Sequence, residues 1–298
     1  MKAGLRADLV AAEGPLAGVD LVGVSPVGGG CIHQAWRLDL NDGRRLFAKS
    51  GGVEAMPLFE VEADALQALH EVADPDLLVV PSPVALCELA HGSVLLLPWL
   101  ELSGADQSAL GRGLALLHQA SMQDGPGRYG WHRDGYIGAG PQPGGWRERW
   151  GEAFVELRLR PQLKLFSGSG SGFDADAQQR LLRNIADHLD QDDVAPSLVH
   201  GDLWGGNAGT LADRRGCLYD PASWWADREV DLAMTTLFGG FSSSFFSAYR
   251  SVIPDRPGAE GRVEIYNLYH LLNHANLFGG GYINQSISRL RSLSRRLI

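Results

Sequence analysis

Along the first hundred positions the apolar residues repeat with two different periods. Leu5, Leu9, Val10 and Ala12 recur at rough helical spacing until Gly14-Pro15, so residues 1 to about 20 read as a helix. From Asp20 to Val27 the pattern alternates like a strand and runs into Gly28-Gly29-Gly30-Cys31. A second strand covers Ala35 to Leu40, Asn41-Asp42-Gly43 marks a hairpin turn, and Arg45 to Lys49 gives a third strand. Helical spacing returns at Leu58, Val61, Ala65, Leu69 and Val72, with Pro57 suited to a first turn. Leu77 to Leu86, interrupted by Pro81 and Pro83, predicts an edge strand or an extended connector. Val94 to Leu100 predicts a buried strand that leaves the small sheet.

Beyond residue 100 the period is mostly helical. Ser103-x-x-Asp106 predicts a helix start, followed by Ala109, Leu110, Gly113, Leu114, Leu117 and His118 on a buried face. Met122 to Gly145 is a long irregular segment rich in Gly, Pro and aromatics. Trp146, Trp150, Phe154, Leu157 and Leu165 mark a long helix that ends near the loop 167–172, and Asp176 to Leu189 is another amphipathic helix. Two short apolar runs, Leu198-Val199 and Cys217 to Tyr219, read as strands able to pair with each other. Helices are expected again from Glu229, over Ser243–Val252, Gly261–Phe278 and Gln285–Ile298. Strands first and helices afterwards predict an α+β, two-lobed architecture. The small antiparallel sheet with one helix falls in residues 1–100, and the mainly helical lobe in 101–298.

The two short strands carry the chemistry. Leu198-Val-His-Gly-Asp-Leu-Trp-Gly-Gly-Asn207 delivers Asp202 and Asn207, and Cys217-Leu-Tyr-Asp-Pro-Ala222 delivers Asp220. Two acids and an amide at strand ends are what phosphoryl transfer from Mg-ATP requires. One carboxylate orients or deprotonates a hydroxyl, while the amide and the second carboxylate hold magnesium on the phosphates. The Asp-x4-Asn spacing is that of the protein-kinase catalytic loop. A hairpin of turn residues capping its own backbone is the competing reading. In a protein-kinase-like fold Gly28, Gly29, Gly30 and Cys31 would lie over the phosphates, where glycine lets backbone N–H groups approach. Lys49 would contact the α/β-phosphates and pair with a glutamate of the next helix, Glu62 first and Glu60 second. A solvated strand-end lysine with surface glutamates is the alternative. Pro98 can offer a carbonyl, and Leu100 an N–H, to adenine at the hinge. Asp231 is expected to anchor the catalytic loop's backbone. His270 and His274, one turn apart, are expected to be core or hydrogen-bonding groups rather than metal ligands.

Composition narrows the class. A net charge of -9 argues against a nucleic-acid partner, since phosphate neutralisation needs basic patches. No apolar run is long enough for a transmembrane span. The N-terminus has no continuous apolar stretch like a secretory signal, and three scattered cysteines make neither a disulfide framework nor a zinc site. A soluble, cytoplasmic protein is expected, and its oligomeric state is left open.

Taken together, these motifs resemble the fructosamine/ketosamine 3-kinase family, itself related to aminoglycoside phosphotransferases and choline kinases. The resemblance covers nearly the whole chain. It includes Gly28-Gly-Gly-Cys-Ile32, Phe47-Ala-Lys49, Phe59-Glu-x-Glu62-Ala63, Leu114-Ala-Leu-Leu-His-Gln-Ala-Ser121, Tyr136-Ile-Gly138, His200-Gly-Asp-Leu-Trp-Gly-Gly-Asn207, Tyr219-Asp-Pro-Ala222, Leu237-Phe-Gly-Gly-Phe241 and Leu271-Leu-Asn-His274. It implies transfer of the ATP γ-phosphate to the C3 hydroxyl of a sugar ketoamine, with Mg2+, leading to deglycation. By this resemblance Asp202 matches the base, Asn207 and Asp220 the magnesium ligands, and Lys49 with Glu62 the phosphate clamp. Trp204 either stacks on the acceptor sugar or is buried under the loop, and Trp224 is a further acceptor candidate. The sequence departs from the family pattern at His33, which is expected to face solvent. Cys31 is expected to be oxidation-sensitive if exposed. A kinase for an aminoglycoside or aminoalcohol, and a non-catalytic nucleotide-binding regulator, are the competing functions.

Overall fold

The computed structural model describes residues 1–28, 34–104, 106–166 and 175–297. Five antiparallel strands make the first sheet, in the order Leu21–Val27, Gln34–Leu40, Arg45–Gly51, Gly92–Pro98 and Ala85–Leu89. Alternation along Arg45–Gly51 decides what each face does. Leu46 and Ala48 are buried against Leu9, Leu38, Val94 and Leu96 on the outer face, whereas Phe47 and Lys49 point the other way. Gly92–Pro98 is buried on both faces, because Leu95 and Leu97 pack into the main core with Phe59, Leu66 and Leu69. Those three side chains belong to the helix Met56–Val72, which has proline in its first turn, as the sequence predicts.

The second lobe is helical, with Ser108–Asp124, Ala175–Leu189, Glu229–Leu237, Ser243–Arg250, Ala259–Phe278 and Gly281–Arg296 packed around small sheets. A further helical run covers 150–165, with one π turn at Val155–Leu159. No helix among the described residues is long and apolar enough to cross a membrane.

Several sequence expectations need correction. The first helix ends at Val10 rather than near residue 20. There the chain doubles back, Leu16 N–H bonding the Leu9 carbonyl, at a spot where a Cβ on Gly14 would overlap the Asp8 and Leu9 carbonyls. The helix expected from Ser103 begins at Ser108. Ser103 and Gly104 N–H groups are held instead by the Thr210 carbonyl, and Asp106 accepts from Ser108 N–H at 3.0 Å. Trp146 lies in a short strand, Gly145–Arg147, that pairs with Tyr129–Trp131, not in the following helix. The two short strands near Asp202 and Asp220 do not pair with each other. Ser197–Val199 pairs with Trp224–Ala226. Gly216–Leu218 instead forms a local hairpin with Ala208–Thr210 and a parallel edge with Leu78–Val79. The tight turn Leu211–Arg215 makes that hairpin the shorter loop to close.

Candidate active site

Lys49, Glu62, Asn207 and Asp220 line both halves of one cleft between the sheet and the helical lobe. One half is a slot walled by Val27, Gly28, Pro81, Leu97, Pro98 and Leu100. The other, a cavity of about 240 Å³, adds Asp202, Trp204, Tyr136, His274, Leu277 and Phe278. Charged groups therefore sit at the centre, an apolar slot on one side and an aromatic recess on the other. Such a cleft suits a molecule with a flat apolar ring and phosphates, placed beside a second, sugar-sized one.

Each central group is placed by its neighbours. Strand alternation turns Lys49 into the cleft, where Nζ bonds Glu62 Oε2 at 2.7 Å and also contacts Asp220 Oδ1. Burial alone would lower the Lys49 pKa, but Glu62 and Asp220 outweigh it and hold the ammonium above its ordinary range. Glu60, the second sequence candidate, pairs with Arg133 instead.

The Asp202 loop hangs from Asp231, whose carboxylate accepts His200 N–H at 2.7 Å and Gly201 N–H at 2.8 Å, as expected from the sequence. Gly201 has φ +83°, and a Cβ there would overlap the Ala222 carbonyl, so the turn needs glycine. The His200 ring donates from Nε2 to the Tyr219 carbonyl at 3.0 Å, which leaves Nδ1 to accept Asp202 N–H at 3.3 Å. Burial lowers the His200 pKa, so this ring is a neutral strut.

Asn207 Nδ2 donates to the Asp202 carbonyl at 2.9 Å, to Asp202 Oδ2 at 3.1 Å and to the Asp220 carbonyl at 3.3 Å. Its Oδ1 is thereby turned away from these acceptors. Asp220 has φ +60° and a half-exposed side chain. Burial, with Asp220 nearby, pushes the Asp202 carboxyl up to about 7, although the Asn207 hydrogen bond opposes the shift. Two carboxylates that repel one another, with a spare amide oxygen close by, favour a bound cation. Among the described residues no cluster of three His, Cys, Asp or Glu could hold an ion unaided. This donor set fits magnesium, which takes one or two protein carboxylates and completes its shell with phosphates and water.

The other sequence candidates are distributed as follows. Gly28, Pro98 and Leu100 line the slot. Gly29, Gly30 and Cys31, with His33, lie outside the described residues. Trp204 is 37 % exposed and lines the recess. Trp224 must be corrected: it is fully buried, with Arg158 stacked 3.7 Å from its ring centroid, and cannot touch an acceptor. The sequence offered Tyr136-Ile-Gly138 and Leu271-Leu-Asn-His274 as motifs, with His274 expected to be a core or hydrogen-bonding group, but gave neither a place in the acceptor site. Tyr136 and His274 in fact face the cavity. Nor did it single out Phe278, which lies one helical turn beyond His274, a spacing that could have suggested it.

Known proteins resemble this chain along its length. The family model described as fructosamine kinase matches residues 10–296. A provisionally assigned ketoamine kinase of Synechocystis is 39% identical over 272 residues, covering 90% of this chain and 89% of its own. The mouse ketosamine-3-kinase is 33% identical, covering 90% of this chain and 94% of its own. A solved structure from Haemophilus somnus, provisionally assigned as a fructosamine-3-kinase, superposes with TM-score 0.84 at 27% identity, covering 97% of both chains. The fold is thus the α+β kinase-like one expected, with an antiparallel N-terminal sheet and a helical second lobe. The chain belongs to the fructosamine kinase family: it is an ATP-dependent kinase of sugar ketoamines.

Proposed function

We propose that this kinase transfers the γ-phosphoryl group of Mg-ATP to the C3 hydroxyl of a sugar ketoamine, with Asp202 as the acceptor-side base. The convergence of Lys49, Glu62, Asp202, Asn207 and Asp220 in one cleft carries this reading. Asp202, beside the sugar-sized recess, takes the proton of the C3 hydroxyl as its oxygen bonds to phosphorus and the bond to ADP breaks. Lys49, held by Glu62, neutralises the α/β-phosphates, and the apolar slot bordered by Pro98 and Leu100 takes adenine. Asn207 and Asp220 would hold magnesium, which supplies charge neutralisation on the phosphates. The hinge at Pro98–Leu100 divides the chain into lobes 1–100 and 101–298, and the cytoplasm is the compartment proposed for the reaction. The mouse relative's name, ketosamine-3-kinase, supports the C3 position.

A phosphate on the carbon beside the ketone is a good leaving group, so the product eliminates it and frees the amine. Free or protein-linked ketoamines are the acceptor class, and neither nucleic acid nor membrane is a partner. ADP release with Mg-ATP and ribulose-, erythrulose- and fructose-linked lysines, with an aminoglycoside as control, tests the reading. Turnover is expected on ketoamines alone; turnover on the control alone would overturn the acceptor assignment.

A further inference from the structure

Among the described residues, the only Trp, Tyr or Phe residues that are more than about a third exposed are Trp204, Phe238 and Phe278, and all three belong to one cluster. The Phe238 ring lies 6.5 Å from Trp204 and 4.7 Å from His274, and His274 lies 5.6 Å from Phe278 and 5.1 Å from Tyr282. Glycines set these rings. A Cβ on Gly206 would overlap the Trp204 indole, which folds back across it. Gly240, two residues past Phe238, has φ +96°, and a Cβ there would lie 2.8 Å from Gly205 Cα. The loop carrying Phe238 therefore rests directly on the loop carrying Trp204. Gln107 clips it down, donating to the Gly240 carbonyl at 2.9 Å and accepting Ser242 N–H at 2.7 Å.

Trp204, His274 and Phe278 also line the Asp202 cavity, so the shelf continues the acceptor recess outward. The carboxylates lining that cavity are Glu62, Asp202 and Asp220, and Lys49 already holds Glu62 and Asp220. His274 Nδ1 donates to the His270 carbonyl at 2.9 Å, which makes Nε2 a lone-pair acceptor.

We propose that the shelf Phe238–His274–Phe278–Tyr282 is the subsite for the amine half of the acceptor. Its rings take the protonated secondary amine and the first methylenes of an unbranched alkylamine, and His274 Nε2 accepts the amine N–H. This rests on the ketoamine reading of the Asp202 site and deepens it. The amine of a ketoamine is three bonds from C3, so a sugar with its C3 hydroxyl at Asp202 and its C1 turned outward places the amine at the mouth, against the shelf. A cation on the shelf, outward of Asp202, meets aromatic faces, the pattern that recognises alkylammonium groups. Polycationic acceptors, which need acidic walls, are disfavoured by the same arrangement.

The test compares two acceptors of one ketose: an alkylamine-linked ketoamine and its ether isostere, in which oxygen replaces the amine. Phe238→Leu, Phe278→Leu and Tyr282→Leu keep apolar bulk while removing the π face, and His274→Gln keeps a polar side chain. KM for the ketoamine is expected to rise about fivefold to tenfold in the leucine variants, with kcat within about twofold. The KM, or Ki, of the ether is expected to move less than about twofold, and an unchanged KM for ATP reports an intact fold. Equal shifts for both acceptors, or no shift for the ketoamine, would overturn the subsite. A wild-type enzyme that binds ATP yet is silent on every ketoamine would overturn the underlying reading, and the subsite with it.

Discussion

The floor and the mouth of the Asp202 cleft are held by different forces. On the floor, Asp231 holds two backbone N–H groups, His200 bridges Tyr219 and Asp202, and Asn207 ties Asp202 to Asp220. At the mouth, Trp204, Phe238 and Phe278 lie a third or more in solvent and pack ring against ring. Losing a buried acceptor strands its donors at about 1–3 kcal/mol each, whereas losing a ring contact costs about 0.5–1.5 kcal/mol. The groups proposed for phosphoryl transfer are thus rigidly prescribed, while the proposed acceptor subsite is built from contacts that can change without unfolding the protein. That contrast can be broken at several points.

The largest effect is expected at Asp202. Asp202→Asn removes the proposed proton acceptor but keeps a side chain of the same shape beside Asn207. Turnover should fall about 10³-fold, while nucleotide affinity stays within about threefold. Measuring kcat together with ADP binding checks both. A variant retaining a tenth of wild-type kcat would show that the floor serves the fold rather than the chemistry.

Asp231→Asn comes next. An amide oxygen can accept at one side, but its NH₂ must then face a backbone N–H of His200 or Gly201. A loss of about 3 kcal/mol is expected in urea unfolding, with kcat reduced about tenfold as the loop loosens. The effect should also depend on pH. Burial would raise the Asp231 carboxyl, but His118 and the His200 and Gly201 backbone N–H groups outweigh it and hold it below its ordinary value. A depressed folded-state pKa stabilises the protein above the unfolded value of about 4, and that contribution disappears as pH falls through the folded value. The stability gap between wild type and Asp231→Asn should therefore be full at about pH 6 and shrink below about pH 4. A gap that stays constant to about pH 3 would mean that the carboxylate's charge is not what holds the loop.

The same contrast explains what could be read from the sequence. Lys49, Glu62, Asp202, Asn207, Asp220 and Asp231 sit in contiguous motifs because each must be a fixed number of residues from a strand end or helix turn. Local spacing therefore announces them. Four strands of the first sheet and the 56–72 helix were legible for the same reason, period and turn residues agreeing, whereas the fifth strand, Ala85–Leu89, lies mostly beyond the 77–86 segment expected to be an edge strand or connector. The mouth draws one ring or two from each of the segments around 204, 238, 274–278 and 282, and nothing local says that these meet. Trp224 misled because a tryptophan near an active-site motif reads equally as a sugar platform or as core. Its partner, Arg158, lies 66 residues away, and only the fold brings the two together. Strand pairing failed near Asp202 on similar grounds. Three-residue strands carry too little pattern to choose a partner, and the tight 211–215 turn decided it.

The smallest expected effect is the most discriminating, because it sets strain against charge at one residue. Asp220 combines φ +60° with a following proline, and the residue before proline is already confined to extended backbone. Holding aspartate there costs about 1 kcal/mol, and its charge adds repulsion toward Asp202. Asp220→Gly removes both terms. It also removes one partner of Lys49, but Glu62 remains at 2.7 Å, so the ammonium is not left bare. Without nucleotide the variant should melt about 2 °C higher than wild type while losing at least about 10²-fold in kcat. Asp220→Ala should lose the same activity and melt lower, since alanine cannot relieve the positive φ. If glycine and alanine instead shift the melting temperature equally, the strain term is negligible and charge alone governs this corner. Asp220 would then belong with the tightly bonded floor instead of being the point where the fold gives up stability to hold a charge in place.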